Sequence, residues 1–166
     1  MPQDSELAKK LKWCLKAGSG IALVDPSENL AKAYLEKSKT ATRTMEVTAR
    51  AGITDWFVSA GYYARYFAVY ALFSKIGIKC ENHECTIALF EYLFAQRVPG
   101  EIIDELRASK SDRIEAQYYT AEINIDAEGV MAQTRAFILG IDKIIDGVRK
   151  NDIESMRQRV RLLQAK

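Results

Sequence analysis

The sequence predicts an all-α protein, and three observations lead to this prediction. Long segments carry apolar residues at the three- and four-residue steps of an α-helix. The alternation of β-branched residues that marks strands is nearly absent, and only three prolines interrupt the chain. We expect one domain over residues 1–166, because a chain of this length buries a core of ordinary size. Short loops favour antiparallel neighbours, so the core helices should form an up-and-down bundle.

Charge and cysteine content narrow the class of protein. The chain has 24 Lys and Arg residues against 22 Asp and Glu residues, and its net charge of +2 indicates no strong field for nucleic acid or a membrane. Three cysteines without paired spacing, and an N-terminus without the apolar run of a signal peptide, predict reduced thiols and a cytoplasmic location. No segment reaches the ~18 uninterrupted apolar residues of a membrane span, so we expect no membrane partner.

One very apolar segment, from Thr54 to Gly77, is predicted to be the central helix. Thr54 can cap its start, and Gly77 can end it. One face is mainly small, and the opposite face is large and aromatic. The first face holds Trp56, Ala60, Ala64, Phe67 and Ala71, and the second holds Val58, Tyr62, Tyr66, Val69 and Phe73. A helix that is apolar on both sides must be covered on both sides, and we expect residues 127–148 to pack on the small face.

Apolar periodicity and capping residues predict further helices on either side of this segment. Before it we expect a peripheral helix at about 4–17 ended by Gly18, and a helix from Ser27 to about Arg50. After it we expect a helix capped by Asn82 that ends before Pro99, then a short helical turn from Pro99 to Leu106, and then a helix opened by Ser109 or Ser111. The last two are a helix from Ala127 to Val148 and a peripheral helix at about 151–164 capped by Asn151. Residues 78–85 are predicted to be a loop that holds the only histidine.

Several enzyme classes are excluded because their motifs do not occur in the chain. There is no glycine-rich phosphate loop, no G-x-S-x-G and no H-E-x-x-H. A single histidine cannot supply the repeated E-x-x-H pairs of a di-iron bundle. Cys80, His83 and Cys85 are close enough to be three zinc ligands, but their spacing matches no usual zinc site. Free cysteines are often small core residues, so we predict neither a metal nor a cofactor.

Arg65 is the one full charge between Trp56 and Phe73, the aromatic part of the central segment, and two interpretations of it remain open. Its guanidinium could bind a phosphate or a carboxylate in a groove between helices. It could instead pair with a core carboxylate, which is the interpretation we favour. The candidate carboxylates are Glu91, Glu115 and Glu122. Tyr62, Tyr66 and Tyr70 could stack on a base, although stripes at helical spacing more often pack in a core or a dimer interface.

Several sequence elements match a known family in their order and spacing over about residues 28–149. They are the Tyr62-Tyr63-Ala64 element with the later Gly77, the loop residue His83 with the later Phe90, the R-x-E-A-x-Y element of Arg113, Glu115, Ala116 and Tyr118, and an A-x-x-F-like step around Phe137. In these elements the chain resembles the HEPN family of small helical-bundle proteins.

The resemblance implies a four- or five-helix bundle with extra terminal helices, similar to the C-terminal domain of kanamycin nucleotidyltransferase. HEPN proteins usually form homodimers and associate with a minimal nucleotidyltransferase encoded nearby, in some systems as the toxin of a toxin–antitoxin pair. Active members are metal-independent ribonucleases with four to six residues between an arginine and a histidine. In this chain the corresponding positions before His83 are Ile76, Gly77 and Ile78, so no catalytic residue is predicted.

Three functions follow from these observations. The first is a non-catalytic HEPN module that dimerises, docks on a nucleotidyltransferase and presents a groove for a nucleotide or RNA. Its candidate binding residues are Arg65, His83, Arg113 and Tyr118. The second is a divergent ribonuclease that uses His83 as acid or base with an arginine brought near by folding or by the dimer. The third is a purely structural, self-associating bundle without a ligand.

Overall fold

The computed structural model describes residues 5–16, 20–119 and 124–165, and within these ranges the protein is almost entirely helical, as predicted. The helices of the described residues are α1 Glu6–Lys16, α2 Glu28–Arg50, α3 Thr54–Ile76, α4 His83–Phe94, α5 Gly100–Tyr118, α6 Ala127–Gly147 and α7 Lys150–Gln164. Two short strands, β1 Ile21–Leu23 and β2 Ile78–Cys80, form an antiparallel ribbon. None of the helices described is long and apolar enough to cross a membrane.

Helix α3 lies at the centre, and nearly every side chain from Phe57 to Ile76 is buried. The helix ends as predicted at Gly77, whose φ of 80° is the left-handed conformation that glycine adopts without strain. Its start differs from the prediction by one residue. Thr54 is the first helical residue and not the cap, because Ile53 precedes it and donates its N–H to Thr48 O at 2.9 Å, which closes the turn after α2.

Helix α2 runs antiparallel to α3 and covers part of its small face. The Ser38 hydroxyl donates to Ala64 O at 2.7 Å. Met45 lies so close to Gly61 that a Cβ at this glycine would be 3.1 Å from the Met45 Cε atom. At these positions the small face is therefore covered by α2 and not by residues 127–148. Only a few residues connect α2 with α3, and a short connection favours such an antiparallel pair.

Helix α5 is continuous, whereas the sequence predicts a short turn followed by a second helix. The Ser109 hydroxyl donates to Leu106 O at 2.9 Å, and the Ser111 hydroxyl donates to Arg107 O at 3.3 Å. Both serines thus bond to carbonyl groups of the preceding turn, as serine does inside helices, and neither caps a new helix. The predicted division between Leu106 and Ser109 is wrong.

Helix α7 begins at Lys150, one residue before the predicted cap, Asn151. The Arg149 N–H donates to the Asp152 carboxylate at 3.0 Å. Asp152 therefore satisfies a backbone donor at the start of the helix and supplies the capping interaction that the sequence analysis assigned to Asn151.

Two arginines of α7 bind the C-terminal ends of other helices. Arg157 Nη1 donates to Gly77 O at 2.7 Å, directly after α3, and to Val24 O at 2.6 Å. Arg159 Nη2 donates to Tyr92 O near the end of α4. The last carbonyl groups of a helix have no partner within the helix and carry partial negative charge, and a guanidinium compensates both. These arginines therefore hold α7 on the ends of α3 and α4.

Both strands fall in segments for which the sequence predicts none. In the ribbon, Ile21 lies opposite Cys80 and Leu23 lies opposite Ile78. Strands of three residues are too short to show the alternation by which strands are recognised, so the prediction of a loop over residues 78–80 is wrong. The ribbon ties the segment before α2 to the connection between α3 and α4, and it thereby positions the start of α4.

Cys14 of α1 and Cys85 of α4 form a disulfide, with their Cα atoms 5.5 Å apart. The prediction of reduced thiols is therefore wrong for these two residues, while Cys80 is free and buried. The two partners are 71 residues apart and leave no spacing pattern in the sequence. They meet because α1 packs its buried side, with Leu11 and Cys14, against the core at α4. The cytoplasmic location stays a prediction.

Candidate functional site

Five side chains from three helices meet beside α3, and we name them the His83 cluster. Its members are Tyr62, Tyr63 and Tyr66 of α3, His83 of α4 and Arg113 of α5. The histidine is placed by the start of its helix, where the Asn82 side chain accepts the N–H groups of Glu84 and Cys85 at 3.0 and 3.2 Å. Asn82 is thus the cap that the sequence predicts, and it fixes His83 as the first residue of α4.

His83 is held between two tyrosines. Its Nδ1 atom lies 2.5 Å from the Tyr62 hydroxyl, and its ring stacks on that of Tyr66 with centroids 4.3 Å apart. Burial lowers the pKa of His83, and the positive charges of Arg113 and Lys110 lower it further. Burial also raises the pKa of Tyr62. The phenol therefore stays protonated beside a neutral imidazole, and the tautomer of the imidazole sets which of the two groups donates in their hydrogen bond.

Arg113 lies against the same tyrosines from the side of α5. Its Nη1 atom donates to the Tyr63 hydroxyl at 3.0 Å, and its guanidinium carbon is 5.5 Å from the ring centroids of both Tyr62 and Tyr63. Within the described residues, the buried Nε atom of Arg113 has no hydrogen-bond partner. A buried donor without an acceptor is rare and costs free energy, so this nitrogen is the place in the cluster where an acceptor is missing.

A cleft of 420 Å³ lies between α1, α4 and α5; none of the five cluster residues lines it, but Glu84, the neighbour of His83 in the chain, does. In its wall, Glu84 forms ion pairs with Lys110 and, at 2.6 Å, with Lys10. Burial lowers the pKa of Lys110, and the neighbouring charges of Lys10 and Arg113 act in the same direction. The sequence analysis missed Lys10, Glu84 and Lys110. The only signal was the position of Lys110 one turn before Arg113, which places both cations on one side of α5.

Arg65 does not belong to the His83 cluster. It is 3% exposed, its Nε atom donates to Glu105 at 2.7 Å, and its Nη1 atom donates to Gly61 O at 3.1 Å. The sequence left two interpretations of Arg65 open, and the structure confirms the one in which it pairs with a carboxylate. The partner is Glu105, which the sequence analysis did not name among its candidates, and Glu122 lies outside the described residues.

Tyr118, the last candidate, lies at the end of α5 and is 73% exposed. It follows Arg113 by five residues, which corresponds to about 140° around the helix. The two side chains therefore point to different sides of α5. The structure brings together His83 and Arg113 among the predicted site residues and leaves Arg65 and Tyr118 apart from them.

The three zinc ligands considered in the sequence are not available together. Cys85 is engaged in the disulfide, and burial raises the pKa of Cys80 to about 11, which opposes the thiolate that zinc requires. Over the described ranges, no group of three or more His, Cys, Asp or Glu side chains is arranged to hold a metal ion.

The sequence model of the HEPN domain family matches residues 31–144, which is more than half of the chain. The chain belongs to the HEPN domain family. The resemblance read from the sequence is confirmed, and the HEPN match contains all five residues of the His83 cluster, while α1 and α7 lie outside it. No curated protein matches the chain.

Proposed function

We propose that this HEPN protein is a binding module that forms a homodimer, docks on a minimal nucleotidyltransferase and offers the His83 cluster as a groove for a nucleotide or RNA. The observation that carries the proposal is the buried Nε atom of Arg113, which has no acceptor among the described residues and lies beside a neutral His83. A phosphate oxygen would satisfy this donor, because guanidinium groups bind phosphates through charge-assisted hydrogen bonds.

The surroundings of Arg113 fit the same class of ligand. Lys10 and Lys110 share one carboxylate, Glu84, so two ammonium groups lie near an anion bound there, although the lining of the cleft between α1, α4 and α5 carries three acidic and three basic side chains in all. The ring of Tyr63 is half-buried and borders the guanidinium. Aromatic rings of this kind stack on bases with little sequence preference. Together these groups suit a ligand that carries both a phosphate and a base.

The proposal includes the architecture that the family implies, a four- or five-helix bundle similar to the C-terminal domain of kanamycin nucleotidyltransferase. Helices α2 to α6 would be its core, since the family match begins in α2 and ends in α6. Helices α1 and α7 would be the terminal additions.

The test of the partner is co-expression with the minimal nucleotidyltransferase encoded beside the gene. We expect the two chains to co-purify. The ligand groove is tested separately by titrating ATP and a short single-stranded RNA into the purified protein. Arg113→Ala should weaken this binding at least tenfold. Arg135→Ala, a change at an exposed arginine that pairs with Glu46, should leave it unchanged. Failure to capture the nucleotidyltransferase would refute the docking part of the proposal.

One observation favours the divergent ribonuclease as a second candidate function. His83 and Arg113 are 30 positions apart in the sequence, yet both contact Tyr62, so folding brings an arginine near the histidine without the usual motif. A neutral imidazole can act as a general base. On induction of the protein alone, this candidate predicts growth arrest and degraded RNA, both abolished by His83→Ala. Toxicity that survives this change would rule out the proposed chemistry.

The purely structural alternative predicts a protein that self-associates but binds neither the nucleotidyltransferase nor the two nucleotide probes. Its sedimentation should not change when ATP or the RNA is added.

A further inference from the structure

A second feature lies between α2 and α3, where it shares Tyr63 with the His83 cluster, and we name it the α2–α3 groove. It is a cleft of 570 Å³ lined mainly by apolar side chains and methyl groups. From α2 its lining includes Ala33, Lys37, Thr40, Ala41 and Thr44, and from α3 it includes Trp56, Ser59, Ala60, Tyr63 and Phe67. A large, apolar surface of this kind on a folded chain usually marks an interaction site.

The groove contains the one stripe of α3 that its neighbours leave uncovered. From Phe57 to Ile76, the only residues of α3 that are not buried are Tyr63, Phe67 and Lys75. Trp56, directly before this range, is 63% exposed. Trp56, Tyr63 and Phe67 follow one another at seven- and four-residue steps and so share a face of the helix. The most buried helix of the protein thus shows an aromatic stripe to solvent.

The hydroxyl groups of the two threonines and the serine that line the groove already have partners. The Thr40 hydroxyl donates to Glu36 O at 3.0 Å, the Thr44 hydroxyl to Thr40 O at 3.1 Å, and the Ser59 hydroxyl to Asp55 O at 2.8 Å. Since each hydroxyl proton is used within its own helix, the groove offers methyl groups and rings more than hydrogen-bond donors. Such a surface suits the side chains of a protein better than a nucleotide, which needs donors for its phosphates.

The two ends of the groove are chemically complementary to each other. Trp56 stands at one end. At the other end, the Lys37 Nζ atom lies 5.4 Å from the ring centroids of Phe67 and Tyr34. The distance along α3 from Trp56 to Phe67 is eleven residues, or about 16 Å. A two-fold axis near Ala60 would bring each end of one copy onto the opposite end of another, and an ammonium group near a tryptophan ring is attractive.

From this geometry we infer that the α2–α3 groove is the surface on which a second copy of this chain binds, antiparallel, so that Trp56 packs near the partner's Lys37 and the partner's Phe67. The inference rests on the homodimer of the proposed function and specifies its face. Helices α2 and α3 have 23 residues each and are about 34 Å long. With axes about 10 Å apart, their outer surface covers about 700 Å², close to the ~800 Å² per partner of a stable interface.

The first test is the oligomeric state of the full chain by light scattering over a range of concentrations. We expect a dimer, and we expect Trp56→Glu to weaken its association at least thirtyfold, since a large aromatic side chain at the end of an interface is replaced by a charge. Trp13→Glu is the matched control, because Trp13 is 52% exposed on α1 and lies outside the groove. Circular dichroism of both variants verifies that they fold.

The second test reads the antiparallel arrangement directly. Trp56→Cys and Lys37→Cys chains are mixed and treated with a short bifunctional maleimide. Crosslinked dimers should form in the mixture and not in a sample of either variant alone. In an antiparallel dimer, residue 56 of one copy lies near residue 37 of the other copy and far from that copy's residue 56. The wild-type chain, whose free thiol Cys80 is buried, gives the background.

Each alternative result has a distinct meaning. A dimer that persists in Trp56→Glu, without crosslinks in the mixture, overturns the inference and leaves the homodimer of the proposed function intact. A wild-type chain that is monomeric at all concentrations overturns both. If the monomer captures the nucleotidyltransferase and Trp56→Glu loses it, the groove belongs to that partner, and the assignment to a second copy is wrong.

Discussion

Arg65 and Arg113 connect the same two helices in opposite directions, and their surroundings differ. Arg65 extends from α3 to the Glu105 carboxylate of α5 and also donates to a backbone carbonyl. Arg113 extends from α5 to the Tyr63 hydroxyl of α3 and leaves a buried nitrogen without an acceptor among the described residues. The first guanidinium has a carboxylate that compensates its burial, and the second is held by a phenol and two rings.

This difference separates a structural charge from a charge suited to binding. Removing a charge from water costs several kcal/mol unless a partner compensates it, and Glu105 does so for Arg65. A guanidinium with a missing acceptor can gain free energy from a ligand that a satisfied one cannot. The surroundings of Arg113 also differ in having a covalent link nearby, since a disulfide joins α4, the helix that carries His83, to α1.

The largest effect is expected from removing this covalent tie on the His83 side. Cys14→Ser opens a loop of 71 residues, for which the chain-entropy relation gives a loss of about 4 kcal/mol in the free energy of unfolding. Urea unfolding followed by circular dichroism measures it. The wild-type protein in a reducing agent should lose a similar amount. An unchanged midpoint in both samples would show that the disulfide does not stabilise this side.

The next largest effect is expected at Arg65. Glu105→Ala leaves a buried guanidinium without its carboxylate, and it should lower the free energy of unfolding by about 3 kcal/mol. The control is Asp104→Ala, an exposed neighbour whose loss should cost less than about 0.5 kcal/mol. Equal midpoints for the two variants in urea would contradict the structural role of the Arg65–Glu105 pair.

At Arg113 the expected loss of stability is smaller, and the loss of binding is the main effect. Arg113→Met keeps an apolar stem against the tyrosine rings, so we expect a change in the free energy of unfolding of at most about 1 kcal/mol. Binding of ATP or single-stranded RNA, measured by calorimetry, should fall at least tenfold. A variant as unstable as Glu105→Ala, with unchanged binding, would make Arg113 a structural charge like Arg65.

The smallest effect concerns the pH dependence of stability. Burial lowers the pKa of His83 in the folded state, so below pH ~6.5 the unfolded chain binds more protons at this residue than the folded one. Its contribution to stability is complete above that pH and is lost as the pH falls toward the folded pKa. Between pH 7.5 and 5, the melting temperature of the wild type should fall more than that of His83→Gln. If the melting temperatures of the two proteins change equally with pH, the pKa of His83 is not lowered by folding.

The elements that the sequence predicts well are those with long periodic patterns or local chemistry. The 23 residues of α3, its end at Gly77 and the cap at Asn82 follow from such signals. Contacts between distant positions, such as Cys14 with Cys85 and Arg65 with Glu105, cannot be predicted in this way, because no periodicity connects their positions in the sequence. His83 and Arg113 were named because of the family resemblance. Their meeting at Tyr62 depends on how α4 and α5 pack on α3, and a single sequence does not specify this.

The arginines of α7 give the C-terminal helix an importance that the family boundary does not show. Arg157 and Arg159 compensate the carbonyl ends of α3 and α4, yet α7 begins after residue 144, where the HEPN match ends. A chain cut at that boundary would keep every residue of the His83 cluster and would lose the counter-charges on which two of its three helices end. The region shared with the family therefore lacks the contacts by which this protein stabilises two of its own helix ends.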